Sequence, residues 1–353
     1  MKRNPPKVHI VSVAVNDYLH DDDKLQHSVK DQFSLIETFR KRENQILGGY
    51  EIGHIIDLKN EEVNEDRLQT EFNALRNGTR ILEGKTTPVE ANDIFILHVS
   101  GHGKLVENEY YFLPYDYRPK GTSFRLNNRI KRKGIPFKSW ANWLNGIYAT
   151  RSVLIFDTCE TGKITDIINK HKAPDEAITR FNRKTGRALI AASSATGIAY
   201  EGYNGHSVLT YSFLEALYKS KLQNGGIRIN EVTDNIIPLV KEYSRQITTK
   251  SGADPYTQEA NVAKSGTNFI ITEKNIKGDI DFGYVLISGE WASREPIEIF
   301  EEPNASHVIG YLKPLNVVKL VSDDGVWVKI KTRRGKELGY VRKSDLVELV
   351  FDH

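Results

Sequence analysis

Short apolar runs rich in β-branched residues, set apart by stretches of helical periodicity, constrain this chain more than any other feature. The runs fall at 8–15 (VHIVSVAV), 53–58, 94–99, 153–156 and 188–192. Too short for buried helices and lacking strict alternation, they suit strands covered on both faces. Between them, Leu25, Val29, Phe33 and Ile36 recur at helical spacing, with Leu35 and Phe39 widening the stripe. Further helices are expected over 64–75, 140–147 and 230–243, and one begins after Ser207 as N-cap, with Leu209, Phe213, Leu214 and Leu217 facing inward. Strand and helix in alternation imply an α/β fold, a mostly parallel sheet with helices on both faces.

The pattern breaks at 272–283 (TEKNIKGDIDFG), where charges and glycines replace periodicity. We therefore expect a main domain over 1–272, a linker over 273–283 and a second domain over 284–353. The last of these consists of short β-rich pieces separated by turn signals at 302–306, 322–325 and 333–336, the pattern of a small β-barrel. A length of 353 residues agrees with two domains. With 39% apolar and 27% charged residues and no long apolar run, a globular chain without a membrane span is expected. No apolar signal segment follows the first residues, which makes the cytoplasm the expected compartment. A net charge of +3 spread over mixed-sign surface argues for no nucleic-acid partner. The basic stretch 118–138, with Arg129, Lys131, Arg132 and Lys133 clustered, reads as an exposed loop.

One cysteine excludes an intramolecular disulfide and a Cys-rich zinc site, leaving a buried structural thiol or a reactive one. A thiol becomes a useful nucleophile when a neighbour takes its proton and backbone N–H groups face the oxyanion formed on attack. Two segments supply those parts. The run 94–99 ends in Ser100-Gly101-His102-Gly103, and 153–156 ends in Asp157-Thr158-Cys159-Glu160-Thr161-Gly162. Both place their polar residues at the carboxyl edge of a sheet, where sites on open parallel sheets are built. His98, inside its strand, reads as a satisfied core histidine. His206 reads as a capping or loop residue.

These segments resemble the caspase-like cysteine peptidases, a superfamily that includes metacaspases and bacterial homologues. VSVAVNDY, YYFLPYD, ALIAASSATGIAYEG and HSVLTYSFLEAL extend the resemblance over about residues 8–272. The interval from His102 to Cys159 is close to the roughly 50 residues seen in caspases. The resemblance implies a Cys159–His102 dyad, oxyanion donors at the backbone N–H of Gly103 and Cys159, a protein or peptide substrate and no redox cofactor. Where caspases carry a glutamine two residues before the cysteine, this chain has Asp157. Metacaspases carry an aspartate there and a second in the first helix, matched by Asp31, and together these imply a pocket for a basic P1 side chain. Asp31 lies roughly 40° outside the apolar arc of its helix at about 100° per residue, on the rim between core and solvent. Glu201 is a third candidate for the same pocket. The resemblance admits calcium but carries over no ligand set, and it implies self-cleavage in the basic stretch around Lys170, Lys172, Arg180, Arg183, Lys184 and Arg187 or in 118–138. The C-terminal pieces VIGYL, VWVKI and GYV resemble a bacterial SH3-like domain that binds a peptide or partner protein, with Trp291 and Trp327 in its core. The rival reading is a caspase-fold scaffold without catalysis.

Overall fold

A computed structural model describes residues 6–19, 24–43, 50–82, 84–117, 123–169, 181, 186–194, 197–220, 226–251, 257–272, 290–292, 297–304, 307–312, 318–323, 326–331, 336–345 and 347–348. The chain divides into two compact units, Met1–Lys277 and Gly278–His353. The expected linker 273–283 lies outside the described residues.

The first unit is built on a six-stranded sheet whose strands we number by themselves: β1 Lys7–Ala14, β2 Glu51–Lys59, β3 Ile94–Ser100, β4 Arg151–Asp157, β5 Arg187–Ala191 and β6 Asn261–Ser265. Their spatial order is β6-β5-β4-β3-β1-β2. All neighbours are parallel except β5 and β6. Order reverses where β1 lies beside β3, so the carboxyl ends around that point form the crevice in which such sheets bind ligands. The helices are α1 Ser28–Glu43, α2 Glu65–Arg76, α3 Ser123–Lys133, α4 Phe137–Asn145, α5 Gly162–Asn169, α6 Val208–Lys219 and α7 Ile229–Ser251.

Successive residues of a strand point to opposite faces, and β3 is buried along its whole length. Phe95, Leu97 and Val99 join Phe72 of α2 and Trp140, Ala141 and Leu144 of α4 in one core. His98 points the other way, to Thr210 of α6. Trp140 is fully buried and meets Phe72, Phe112, Phe156 and Trp143 edge-on. Asn64 caps α2 by accepting from Arg67 N–H at 2.8 Å.

Three expectations fail here for identifiable reasons. The basic stretch holds a helix, α3, because Ile130 is buried and Leu126 packs against the core. Its charges are met from outside, Lys131 by Glu107 at 2.6 Å and Lys133 by Asp116 at 2.7 Å. Arg187 is no loop residue: it begins β5, buried, donating to Ser152 Oγ and the Phe181 carbonyl with its guanidinium 3.7 Å above the Phe181 ring. In α1 the expected apolar stripe is only half right. Leu35, Ile36 and Phe39 are buried but Phe33 is 38% exposed, whereas Asp31, Gln32, Ser34 and Glu37 are buried. Polar residues turn inward because the sheet offers them partners; Gln32 Nε2 donates to the carbonyls of Ser12 and Leu58 at 2.7 and 3.0 Å.

The second unit, as described, is an antiparallel seven-stranded sheet ordered Val308–Leu312, Ile297–Phe300, Glu337–Arg342, Trp327–Lys331, Val318–Asp323, Glu290–Ala292 and Val347–Glu348. Ile297, Ile299, Leu312, Val318, Val328, Ile330 and Val341 form its core. Trp327 is buried, with its indole N–H donating to Asn304. The Trp291 side chain lies outside the described residues.

Candidate active site

At the carboxyl edge of the sheet β3 and β4 are adjacent, with Ser100 opposite Asp157. His102 and Cys159 each lie two residues beyond that pair, on neighbouring loops at one rim. The loops touch at Gly103, where an added Cβ would stand 2.5 Å from Thr158 Oγ1 and 2.7 Å from the Cys159 carbonyl oxygen, so only glycine fits. From Gly103 the chain forms a hairpin, Gly103–Val106 paired with Glu109–Phe112. Tyr110 of that hairpin shares a 2.6 Å hydroxyl hydrogen bond with Thr158.

Tyr18, just past β1, holds His102 from behind. Its hydroxyl accepts the His102 N–H at 2.6 Å and donates to the Leu113 carbonyl, and its ring lies 4.7 Å from the imidazole, centroid to centroid. Cys159 is half-buried, and its sulfur accepts the Ala199 N–H at 3.4 Å. The Glu160 N–H donates to the Gly197 carbonyl, so the segment 197–200 runs alongside the thiol. Burial raises the thiol's pKa above its ordinary value; the Ala199 N–H and Lys104 oppose this, while the charges of Glu160 and Asp157 reinforce it.

Three carboxyl groups converge at the same rim. Asp31 is wholly buried, its oxygens taking His206 Nδ1 at 2.6 Å and Ser207 N–H at 3.1 Å. Asp157 directs Oδ2 at the Ser207 hydroxyl, the Thr210 hydroxyl at 2.6 Å and the Thr210 N–H at 3.0 Å. Glu201 Oε2 accepts the N–H groups of Gln26 and His27. Ser207 thus bridges Asp31 and Asp157 while its strand residue pairs with Glu201. Among the described residues no donor reaches Asp157 Oδ1 or Glu201 Oε1, which leaves each group one open oxygen. Burial dominates all three titrations, pushing Asp31 up to about 8, Asp157 to about 7 and Glu201 to about 7. The negative charge of Asp31 adds to the rise at the other two, and their hydrogen bonds oppose it. Burial, Lys30 and His206 push His27, beside them, down to about 4.

A profile of the caspase domain matches residues 10–256, the span that carries the sheet and this rim. The chain belongs to the caspase-domain family. Its α/β architecture is accordingly that of the caspase fold, and cysteine peptidase activity is what the family suggests for it. The crystal structure of caspase-1 from Spodoptera frugiperda is similar at 9% identity, covering 79% of this chain and 98% of that one with a TM-score of 0.47. A search of curated proteins found no match.

The caspase-domain rim also corrects two expectations and adds residues that the sequence reading passed over. Asp31 is not at the margin of its helix but inside, enclosed by α1, β-paired His206 and Ser207. His206 is neither a cap nor a loop residue; it is 2% exposed and holds Asp31. Ser207 caps α6 as expected, accepting from Thr210 N–H, and in addition serves both aspartates. Behind Asp157 a polar relay crosses the sheet. Ser12 Oγ lies 2.8 Å from His98 Nδ1, and His98 Nε2 lies 3.1 Å from the Thr210 hydroxyl that donates to Asp157. That order assigns the His98 proton to Nε2, and burial holds the ring neutral, its pKa down to about 3. Among the described residues no group of three or more His, Cys, Asp or Glu side chains is arranged to hold a metal ion. Tyr18 was within reach of sequence reasoning as the last residue of VSVAVNDY; nothing in the local pattern pointed to Thr210.

Proposed function

We propose that this chain is a cysteine endopeptidase of metacaspase type that cleaves after Arg, and less readily after Lys. Cys159 is the nucleophile and His102 its proton-transfer partner. The thiol gives its proton to the imidazole, sulfur attacks the substrate carbonyl, and the Gly103 and Cys159 N–H groups hold the oxyanion. His102 then protonates the leaving amine, and water hydrolyses the thioester to release the second product and restore the thiol. The open oxygens of Asp157 and Glu201 receive the basic side chain through charge-assisted hydrogen bonds, with Asp31 supporting them from behind Ser207. The observation that carries this reading is the convergence of three carboxyl groups at the rim that holds the thiol and the imidazole.

In this reading the second unit is an SH3-like module that engages a peptide or partner protein, the compartment is the cytoplasm, and the chemistry requires no cofactor, calcium being admitted without an assigned ligand set. Fluorogenic peptides differing only at P1, assayed with and without calcium against wild type and Cys159→Ala, provide the test. Hydrolysis of Arg and Lys peptides, loss of both in the variant, and no turnover of Asp peptides are expected. Equal turnover by Cys159→Ala would sink the peptidase assignment, and a preference for Asp peptides would sink the pocket.

A further inference from the structure

The turn that carries Cys159 contains a residue whose identity local conformation does not explain. Glu160 has φ +58°, in the left-handed region that favours glycine over any residue with a Cβ. Its side chain nevertheless reaches across to the neighbouring loop. Oε2 accepts the Leu105 N–H at 2.6 Å and Oε1 meets Lys104 Nζ at 2.5 Å, both on the strand that follows His102-Gly103. Its own N–H donates to the Gly197 carbonyl at 3.1 Å, on the segment whose Ala199 N–H reaches the sulfur. One residue therefore joins the cysteine turn, the histidine hairpin and the strip of chain beside the thiol.

We infer that Glu160 is a positioning residue: its carboxylate latches the Cys159 turn to the His102 hairpin and fixes the thiol relative to the imidazole. The contact lies where such a latch acts with most leverage. Gly103 closes on the Cys159 carbonyl and Tyr110 bonds Thr158, so residues 158, 159 and 160 in succession are each held by the same hairpin. Of these three contacts only the one made by Glu160 is charge-assisted, the shorter and stronger kind of hydrogen bond. Electrostatics alone would make this carboxylate harmful, since a negative charge next to Cys159 opposes formation of the thiolate. Positioning and electrostatics therefore predict opposite consequences of its removal.

This inference rests on Cys159 and His102 being the catalytic pair, and its test keeps the two claims separable. Glu160→Ala, Glu160→Gln and Glu160→Gly are compared with wild type in kcat and KM on an Arg peptide and in the rate of alkylation by iodoacetamide, which reads Cys159 alone because it is the only cysteine. Misplacement of the pair should cost Ala and Gly about tenfold or more in kcat with little change in KM, while Gln, which keeps an acceptor for Leu105 N–H, recovers most of the loss. Alkylation of the Ala variant should also slow, because a displaced imidazole no longer takes the thiol's proton. Melting of the Gly variant should not fall below that of Ala, because glycine relieves the backbone. A Gly variant with wild-type kcat, a Gln variant as impaired as Ala, or alkylation faster than in wild type would each overturn the latch. If turnover does not depend on Cys159 at all, the parent reading has failed instead. Hydrogen exchange at the Leu105 amide then decides the latch alone: faster in Ala but not in Gln supports it, and no change overturns it.

Discussion

Asp157 places an ionisable group where neither state is comfortable. Buried, it resists ionisation; once ionised, it is the group best suited to a guanidinium. Its pKa near 7, with those of Asp31 near 8 and Glu201 near 7, all stand above the ordinary carboxylate values of 3.8 and 4.5. Folding therefore favours the protonated forms, and their contribution to stability is complete below about pH 4 and lost as pH rises through 7 to 8. Binding of a cationic side chain has the opposite sign, because the cation must displace protons from the empty pocket. KM for an Arg peptide should fall as pH rises from 6 to 8, by up to about tenfold per unit for each proton displaced. Asp157→Asn should flatten that profile; steady-state kinetics across the range checks it, and a KM that rises with pH would contradict the assignment. At this scale the sequence was most legible for residues bonded to their own backbone neighbours. Ser207 announced itself as a cap through its place before an apolar helix, but its bonds to Asp31 and Asp157 join positions 176 and 50 residues away, which no local pattern encodes.

Among the elements, α4 shows how much of the sheet's cover rests on one side chain. Trp140 meets four other aromatic rings, and among the described residues no acceptor reaches its buried indole N–H. Truncation to Ala should destabilise the first unit by about 3–5 kcal/mol, the cost of a large cavity in a close-packed core. Trp140→Phe should cost clearly less than Ala, since it keeps most of the packing and removes the unsatisfied donor. Urea titration monitored by circular dichroism measures both, and equal losses would show that the N–H has a partner. Strands were legible because burial on both faces leaves them mostly apolar, as in β3 and β4. Helices were less so. The hydrophobic stripe of α1 missed Asp31 and Gln32 because a helix facing backbone carbonyls and amides and an imidazole hides a polar side, and α3 was obscured by charges that pair only across space. The failure in α1 falls at the site, where local rules yield to function, while those at α3 and Arg187 lie elsewhere.

At the scale of the molecule, the two units each enclose a core of their own. A chain built this way should melt in separate steps. Scanning calorimetry should resolve two transitions in the full chain and retain the larger one in residues 1–277; a single transition lost on truncation would refute the independence of the cores. Charge and glycine replace periodicity at 272–283, a signal local to that stretch of sequence, whereas strand order has no local signal, being fixed by pairings among residues far apart in the chain. The double duty of Ser207 reaches beyond the pocket. It begins α6, which packs against α1 and α7, and it holds both aspartates. Whatever enters the cleft and draws on those carboxylates also pulls on the start of a central helix, so that cargo at the rim and the tautness of the scaffold behind it vary as one.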